Sequence, residues 1–312
     1  MHPFRFGISV RSARSRSEWT DKARKIEDLG YCAMTVPDHL TDLMAPMPAL
    51  ISAANATTRI RVGTNVLNND LRHPVLVARE AATVDILTDG RFLLGLGAGS
   101  IRSEYEQIGA TFDAGGTRVE RLTEAVTIVK GLLAGETVTF AGRHYQVTGH
   151  GLNPLPVQKP RPPILIGGNG RRLLTLAARE ADIVGLSGIT FREGGAAPPD
   201  LAAWRVSGVD ERLRLIRETA GDDRYARLEV NVLVQQVIVT ENRRAAAEEM
   251  SSRWAQLSPD EFLQSPFVLI GTVEQIVEDL HARRERWGFS SYVMFDSDMD
   301  AFAPILARVI CS

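Results

Sequence analysis

The sequence predicts an α/β chain folded as a TIM-type (β/α)8 barrel, and three observations predict it. Short apolar runs alternate with amphipathic helical stretches along most of the 312 residues. The strand-like runs are nearly continuous in Val, Ile and Leu, as expected for parallel strands covered on both faces. Eight such runs occur, the number that closes this barrel. The runner-up is an open doubly wound sheet. Its usual marker is a G-x-G-x-x-G turn after the first strand, and the turn after Val10 contains no glycine.

The elements follow in order. Residues 4–10 read as a strand before a helix over 18–29, and "YCAMTV" (31–36) as a strand before a helix over 48–56. "RIRVGTNVL" (59–67) is the third strand and 74–87 its helix, opened by Pro74 at the first turn with His73 before it. "RFLLGLG" (91–97) is the fourth, followed by a long helix over 118–133. The rhythm then breaks. "ETVTFAGRHYQV" (136–147) alternates apolar and polar residues around Ala141 and Gly142, a hairpin pattern, and a proline-rich connector runs over 153–163. Strand 164–166, helix 171–180 and strand 181–186 restore the rhythm. Residues 187–208 have no period and are rich in Gly, Ala and Pro, which fits a lid over a site or a surface insertion. A helix over 210–219, a long strand over 228–239, helices over 243–257 and 270–288, and a strand over 290–295 complete the count. The whole chain, 1–312, is expected to be one domain with insertions at about 136–162 and 187–208.

Composition narrows the function. With 44% apolar and 24% charged residues the chain can bury a large core. Lys and Arg number 36 against 38 Asp and Glu, a net charge of −2, so no electrostatic footprint for nucleic acid is present. The two cysteines, Cys32 and Cys311, form no C-x-x-C or metal-ligand spacing, which suits a reducing compartment. The start "MHPFRFGISV" shows no signal-peptide pattern, and no run approaches a membrane span. The expectation is a cytoplasmic protein acting on a small molecule, without membrane or nucleic acid partners.

In such a barrel the site lies at the carboxyl ends of the strands. "PDH" (37–39) follows the second strand. His39 can give or take a proton near neutral pH, or cap the next helix, and Asp38 can bond a ligand or brace the rim. "GLGAGS" (95–100) either lets the backbone approach something flat or packs strands closely. "GGNGRR" (167–172) offers backbone N–H groups at a helix start with Arg171 and Arg172 adding charge, an anion cradle or simply a tight βα turn. No histidine pair has metal spacing, no G-x-S-x-G elbow occurs, and Asp296, Asp298 and Asp300 lack the rest of a cation loop.

"GYCAMTVPDHL", "RIRVGTNVLNNDLRHPVLVAREAATVDILTDGRFLLGLGAGS", "PVQKPRPPILIGGNGRRLLTLAAREADIVGL" and "LIGTVEQIVEDL" together resemble the bacterial luciferase-like oxidoreductases. More narrowly they resemble the actinobacterial branch that depends on the deazaflavin coenzyme F420. The likeness runs from Phe4 to about Leu186 and again from Leu269. It implies a TIM barrel, a homodimer and hydride transfer between F420 and a small imine, enone or carbonyl/alcohol substrate. Asp38 and His39 match the pair beside the ring, His39 in the proton-transfer role. Asn65–Val66 matches a cis peptide under the ring, Asn68 a contact at its edge, and Ala98 and Gly99 backbone contacts. Ser100 stands where sugar-phosphate-oxidising relatives carry a glutamate base and Ser103 where they carry asparagine, a departure from that chemistry. Gly167, Gly168, Gly170 and Arg171 match the phosphate cradle, with backbone N–H groups as the donors. An FMN-dependent monooxygenase and a non-catalytic flavin-binding protein are the alternatives that share these motifs.

Overall fold

A computed structural model describes residues 3–195 and 199–311. Eight parallel strands run in sequence order around a closed sheet: β1 Arg5–Ser9, β2 Ala33–Val36, β3 Arg61–Thr64, β4 Phe92–Gly97, β5 Ile164–Gly167, β6 Ile183–Leu186, β7 Glu229–Leu233 and β8 Ser291–Phe295. β3 pairs with β4 through Val62 opposite Phe92, and β8 returns to β1 through Ser291 opposite Arg5. The cylinder is therefore closed, and the eight runs read from the sequence are its staves.

Alternation along each strand sends side chains to the helices or to the axis. Phe6, Ile8, Met34, Val62, Leu94, Ile166, Val184, Val232 and Met294 are buried against the helical layer. Several axial positions at the amino ends of the strands are small or polar, including Gly7, Ala33, Gly63, Thr35, Asn231 and Ser291, and with Leu93, Leu165, Ile183 and Val293 they line a cavity of about 310 Å³ there.

Helices α1 Arg16–Asp28, α2 Pro46–Asn55 and α3 Pro74–Leu87 start where local chemistry allows. Ser15 accepts from the Glu18 N–H, and α2 and α3 both open on proline, whose missing N–H costs nothing at a first turn. His73 caps α3, accepting from the Val75 N–H at 3.3 Å. α4 Arg102–Gln107 is short; α5 Gly115–Leu133 is long and begins on the glycine pair that precedes the expected start. α6 Arg171–Glu180 and α7 Val206–Ala220 cover β5 and β6. Thr272 and Gln275 form a reciprocal capping box on the helix Val273–Trp287, and Gly288 ends it in the left-handed region at φ +75.

Two segments differ from the sequence-based expectation. The run 59–67 is not one strand: pairing stops at Thr64 and resumes at Leu67–Asn68, opposite Leu96 and Gly97. The run 228–239 also divides. Val234 donates to Val293 of the barrel, the next residue Gln235 donates to Phe267, and Gln236–Val239 then pairs with Val268–Gly271 in a separate two-stranded sheet. The strand Val268–Gly271 is not foreseen, because its apolar run reads as the start of the helix behind it. The described part of 187–208 is packed against its surroundings. Thr190 and Asp200 exchange backbone bonds at 3.3 and 2.9 Å, and Leu201, Ala203 and Trp204 are buried. Residues 196–198 of that segment lie outside the described residues.

The hairpin Val138–Ala141 with Gln146–His150 is antiparallel, as the alternation indicates. Its turn is held to α5 by the Glu124 carboxylate, which accepts the N–H groups of Arg143, His144 and Tyr145.

Gly95 marks the tightest point of the wall. A methyl group on it would lie 2.0 Å from the Thr64 carbonyl oxygen, which is backbone and cannot swing away. Gly95→Ala is expected to destabilise the fold by roughly 3 kcal/mol. Gly170→Ala, where an added methyl meets nothing within 4 Å, should stay within about 0.5 kcal/mol of native. Urea unfolding midpoints of the two variants check the contrast.

Candidate active site at the carboxyl end of the barrel

A cavity of about 750 Å³ opens at the carboxyl ends of the strands. His39, Asp38, Asn65, Val66, Asn68, Ala98, Gly99, Ser100, Gly167, Gly168, Gly170 and Arg171 all line it. The motifs after strands two, three, four and five are thus brought to one place. Ser103 is the exception: it is exposed on the first turn of α4 and does not line the cavity.

Asp38 is a brace. Its carboxylate is buried, accepts the Asn68 N–H at 2.9 Å and forms a two-pronged ion pair with Arg72, with one prong at 3.1 Å. This fixes the loop after β2 to the loop after β3. Asn68 is held in turn: its side-chain oxygen accepts from the Asp70 N–H and from the Tyr105 hydroxyl, each at 3.1 Å. Burial, and then the nearby Asp70 charge, raise the Tyr105 hydroxyl well above its ordinary range, so it serves as a donor.

His39 caps no helix. Its Nδ1 lies 2.9 Å from Glu104 Oε1, and its side chain is 36% exposed toward the cavity. Glu104 is a site residue that the sequence does not announce. An acid in a helix's first turn ordinarily reads as a partner for the helix end, and nothing in "SEYEQ" marks this one as buried.

The peptide Asn65–Val66 is cis. The glycines at 95 and 97 make room for this stretch. A methyl on Gly97 would sit 2.5 Å from Val66 Cγ2, and one on Gly95 3.1 Å from Val66 Cγ1. Close strand packing accounts for the smallness of both positions, and Gly97 also lines the cavity.

The anion cradle differs in detail from expectation. The Gly168 N–H is already engaged by the Gly185 carbonyl at 2.9 Å, with Gly168 at φ +153. The free donors lie further on. The first intrahelical bond of α6 is Leu174 to Gly170, and no side chain caps that helix start. The start of α5 is likewise uncapped, its first bond being Arg118 to Ala114, and Gly115 and Gly116 line the same cavity. Two helix N-termini therefore face one space, each with N–H groups that have no partner among the described residues and with positive potential. Arg172 lies over Gly116, where a methyl would fall 2.2 Å from its Nη1. Arg118 donates to the Ala98 carbonyl at 3.2 Å and lies 4.0 Å from the Phe112 ring centre; burial lowers its pKa. The pair "GG" ahead of α5 is the sequence signal for this second helix start, though a helix expected only from residue 118 leaves it outside. Asn169 fastens the turn to the segment above it, donating to Ser187 Oγ at 2.8 Å and to the Ile189 carbonyl at 2.6 Å. Ile189, Thr190 and Phe191 of that segment line the cavity as a cover.

Arg72 neutralises a carboxylate that is only 5% exposed, while its own side chain is 26% exposed. Arg72→Met should cost about 3 kcal/mol by leaving Asp38 buried and unpaired, and Asp38→Asn in the same chain should recover much of that loss. Chemical denaturation of the two single variants and the double variant checks it.

The chain resembles known proteins along most of its length. The luciferase-like monooxygenase family matches residues 1–291. An F420-dependent glucose-6-phosphate dehydrogenase of Microbacterium testaceum (strain StLB037) is 34% identical over 189 residues, which are 58% of this chain and 55% of the relative. The chain thus spans about half the length of the curated relatives it matches. The F420-dependent tetrahydromethanopterin reductase of Methanopyrus kandleri superposes with a TM-score of 0.77 at 16% identity, over 99% of both chains. An F420-dependent secondary alcohol dehydrogenase, solved with an F420-acetone adduct, gives 0.74 at 18%, again over 99% of both. With eight parallel staves, a site at their carboxyl ends and a family match over residues 1–291, the chain belongs to the luciferase-like monooxygenase family.

Proposed function

We propose that the protein is an oxidoreductase that passes hydride between coenzyme F420 and a small organic substrate. The observation that carries this reading is that His39 and the cradle formed by the starts of α5 and α6 open into the same cavity. The similarity to an F420-dependent dehydrogenase supports the choice of cofactor. The donors that would hold its anionic tail are the N–H groups at 115–117 and 171–173, with Arg171 and Arg172 adding charge. Val66 and Asn68 would lie against the ring, and Ala98 and Gly99 would border it. When bound, the deazaflavin supplies a ring carbon that carries hydride. His39 would move the accompanying proton at Nε2, the nitrogen left open by the bond at Nδ1. The cover at 189–191 would exclude water from that exchange. An imine, enone or carbonyl/alcohol substrate suits this arrangement better than a sugar phosphate, since Ser100 occupies the place of the glutamate base.

A second reading, an FMN-dependent monooxygenase, is favoured by the description of the family itself. Titrating the protein with each oxidised cofactor and following fluorescence separates the two. Saturable binding of F420, with FMN at least about tenfold weaker, is expected; tenfold is roughly 1.4 kcal/mol. Tight FMN binding without a response to F420 would overturn the proposal. His39→Ala should keep F420 affinity while turnover over a panel of carbonyls and alcohols falls about 100-fold or more.

A further inference from the structure

We propose that Glu104 is the positioning residue for His39, holding the imidazole with its proton on Nδ1 so that Nε2 faces the cavity as the proton acceptor; this rests on reading His39 as the proton-handling group. Glu104 is 3% exposed, and among the described residues its carboxylate has one hydrogen-bond partner, His39 Nδ1 at 2.9 Å. A buried carboxylate needs a donor to offset its lost hydration. An ionised carboxylate only accepts, so the proton of that bond belongs to Nδ1, and the neutral ring keeps its lone pair on Nε2. That nitrogen has no partner among the described residues, and His39 lines the cavity.

The arrangement has a second consequence. When Nε2 takes a proton, the positive charge formed on the ring lies against a carboxylate that is already in place, and the Nδ1 bond becomes a charge-assisted one. Glu104 therefore selects the tautomer and keeps the ring oriented through the proton transfer, without touching the reacting molecule. Its place is fixed from the other side: the next residue, Tyr105, is fully buried and bonded to Asn68 Oδ1 and Asp70 Oδ2, which anchors α4 against the loop after β3. In such a step His39 Nε2 would take the proton from an oxygen or nitrogen of the substrate, whose adjoining carbon would give up hydride as a C=O or C=N bond forms; oxidised F420, held by the cradle, would supply the hydride acceptor.

Nitrogen-15 NMR of the histidine rings in the cofactor-free chain, assigned with His39→Gln, reads the tautomer directly. The native neutral ring should be the Nδ1–H form, and Glu104→Gln, whose amide can also donate, should populate the Nε2–H form. A native ring that is mainly Nε2–H overturns the proposal, because Glu104 would then be the donor. In turnover, Glu104→Gln should lower kcat about 10- to 100-fold with KM and F420 affinity within about twofold, and Glu104→Asp should recover part of the loss. A kcat within about twofold of native also overturns it. The tautomer is read without cofactor or substrate, so it decides the matter for Glu104 even if F420 binding fails.

Discussion

The barrel closes at one seam, and the position of the site follows from how that seam is made. Thr64 Oγ1 both donates to the Gly95 carbonyl and accepts from the Gly95 N–H, each at 2.8 Å. One side chain thereby replaces a ladder step between β3 and β4 and frees the backbone beyond it. Val66 then lies across Gly95 and Gly97, and pairing resumes at Leu67. Any side chain at 95 would strike the Thr64 carbonyl and push the two strands apart. From this point the contacts propagate. Asn68 gives its N–H to Asp38, which fixes the residue beside His39, and accepts from Tyr105, which fixes the residue beside Glu104. The two members of the His39–Glu104 pair come from elements 65 residues apart, yet both are placed by bonds to Asn68 on an adjacent residue.

Much of the fold is legible in the sequence because its signals are local. Continuous apolar runs alternating with amphipathic helices identify parallel staves, and all eight fall in the order the sequence indicates. What stays hidden are partner changes. Nothing in "LEVNVLVQQVIV" says that Val234 bonds to the barrel and Gln235 to an outer strand, since both halves are equally apolar and the choice is made by Phe267, far along the chain. The interruption at Asn65 and Val66, to which the family resemblance alone points, is not visible in the apolar pattern, because it depends on the space left by Gly95 and Gly97 on the neighbouring strand.

The site is legible where backbone chemistry makes it. Glycine turns and strand ends fall in known places in this architecture, so residues 38–39, 65–68, 98–100 and 167–171 converge as expected. It is illegible where burial decides the role. Glu104 and Ser103 are neighbours on one short helix, and one faces His39 while the other faces solvent. Likewise, the Gly168 N–H looks available in the sequence and is consumed by β6, whereas the glycines at 115 and 116, whose pair is a weak local signal, bring free donors to the cavity.

The cavity carries positive charge in more than one place: Arg11, just beyond β1, lines it, as do Arg171 and Arg172 at the start of α6. Near His39, the Asp38 carboxylate is already matched by Arg72 and the Glu104 carboxylate is bonded to the imidazole, so an anion brought close to the ring meets two acidic groups whose donors are engaged. At the other end lie two uncapped helix starts. Each contributes roughly 0.5–1 kcal/mol toward an anion, so together they give about 1–2 kcal/mol. That is a preference of only about tenfold, too small to fix an orientation alone. Arg171 and Arg172 are exposed, so each guanidinium adds at most about 1 kcal/mol more, and Arg172 lies over Gly116 at the start of α5. The uncapped helix starts and these guanidinium groups therefore favour an anion near α5 and α6, away from the His39–Glu104 pair.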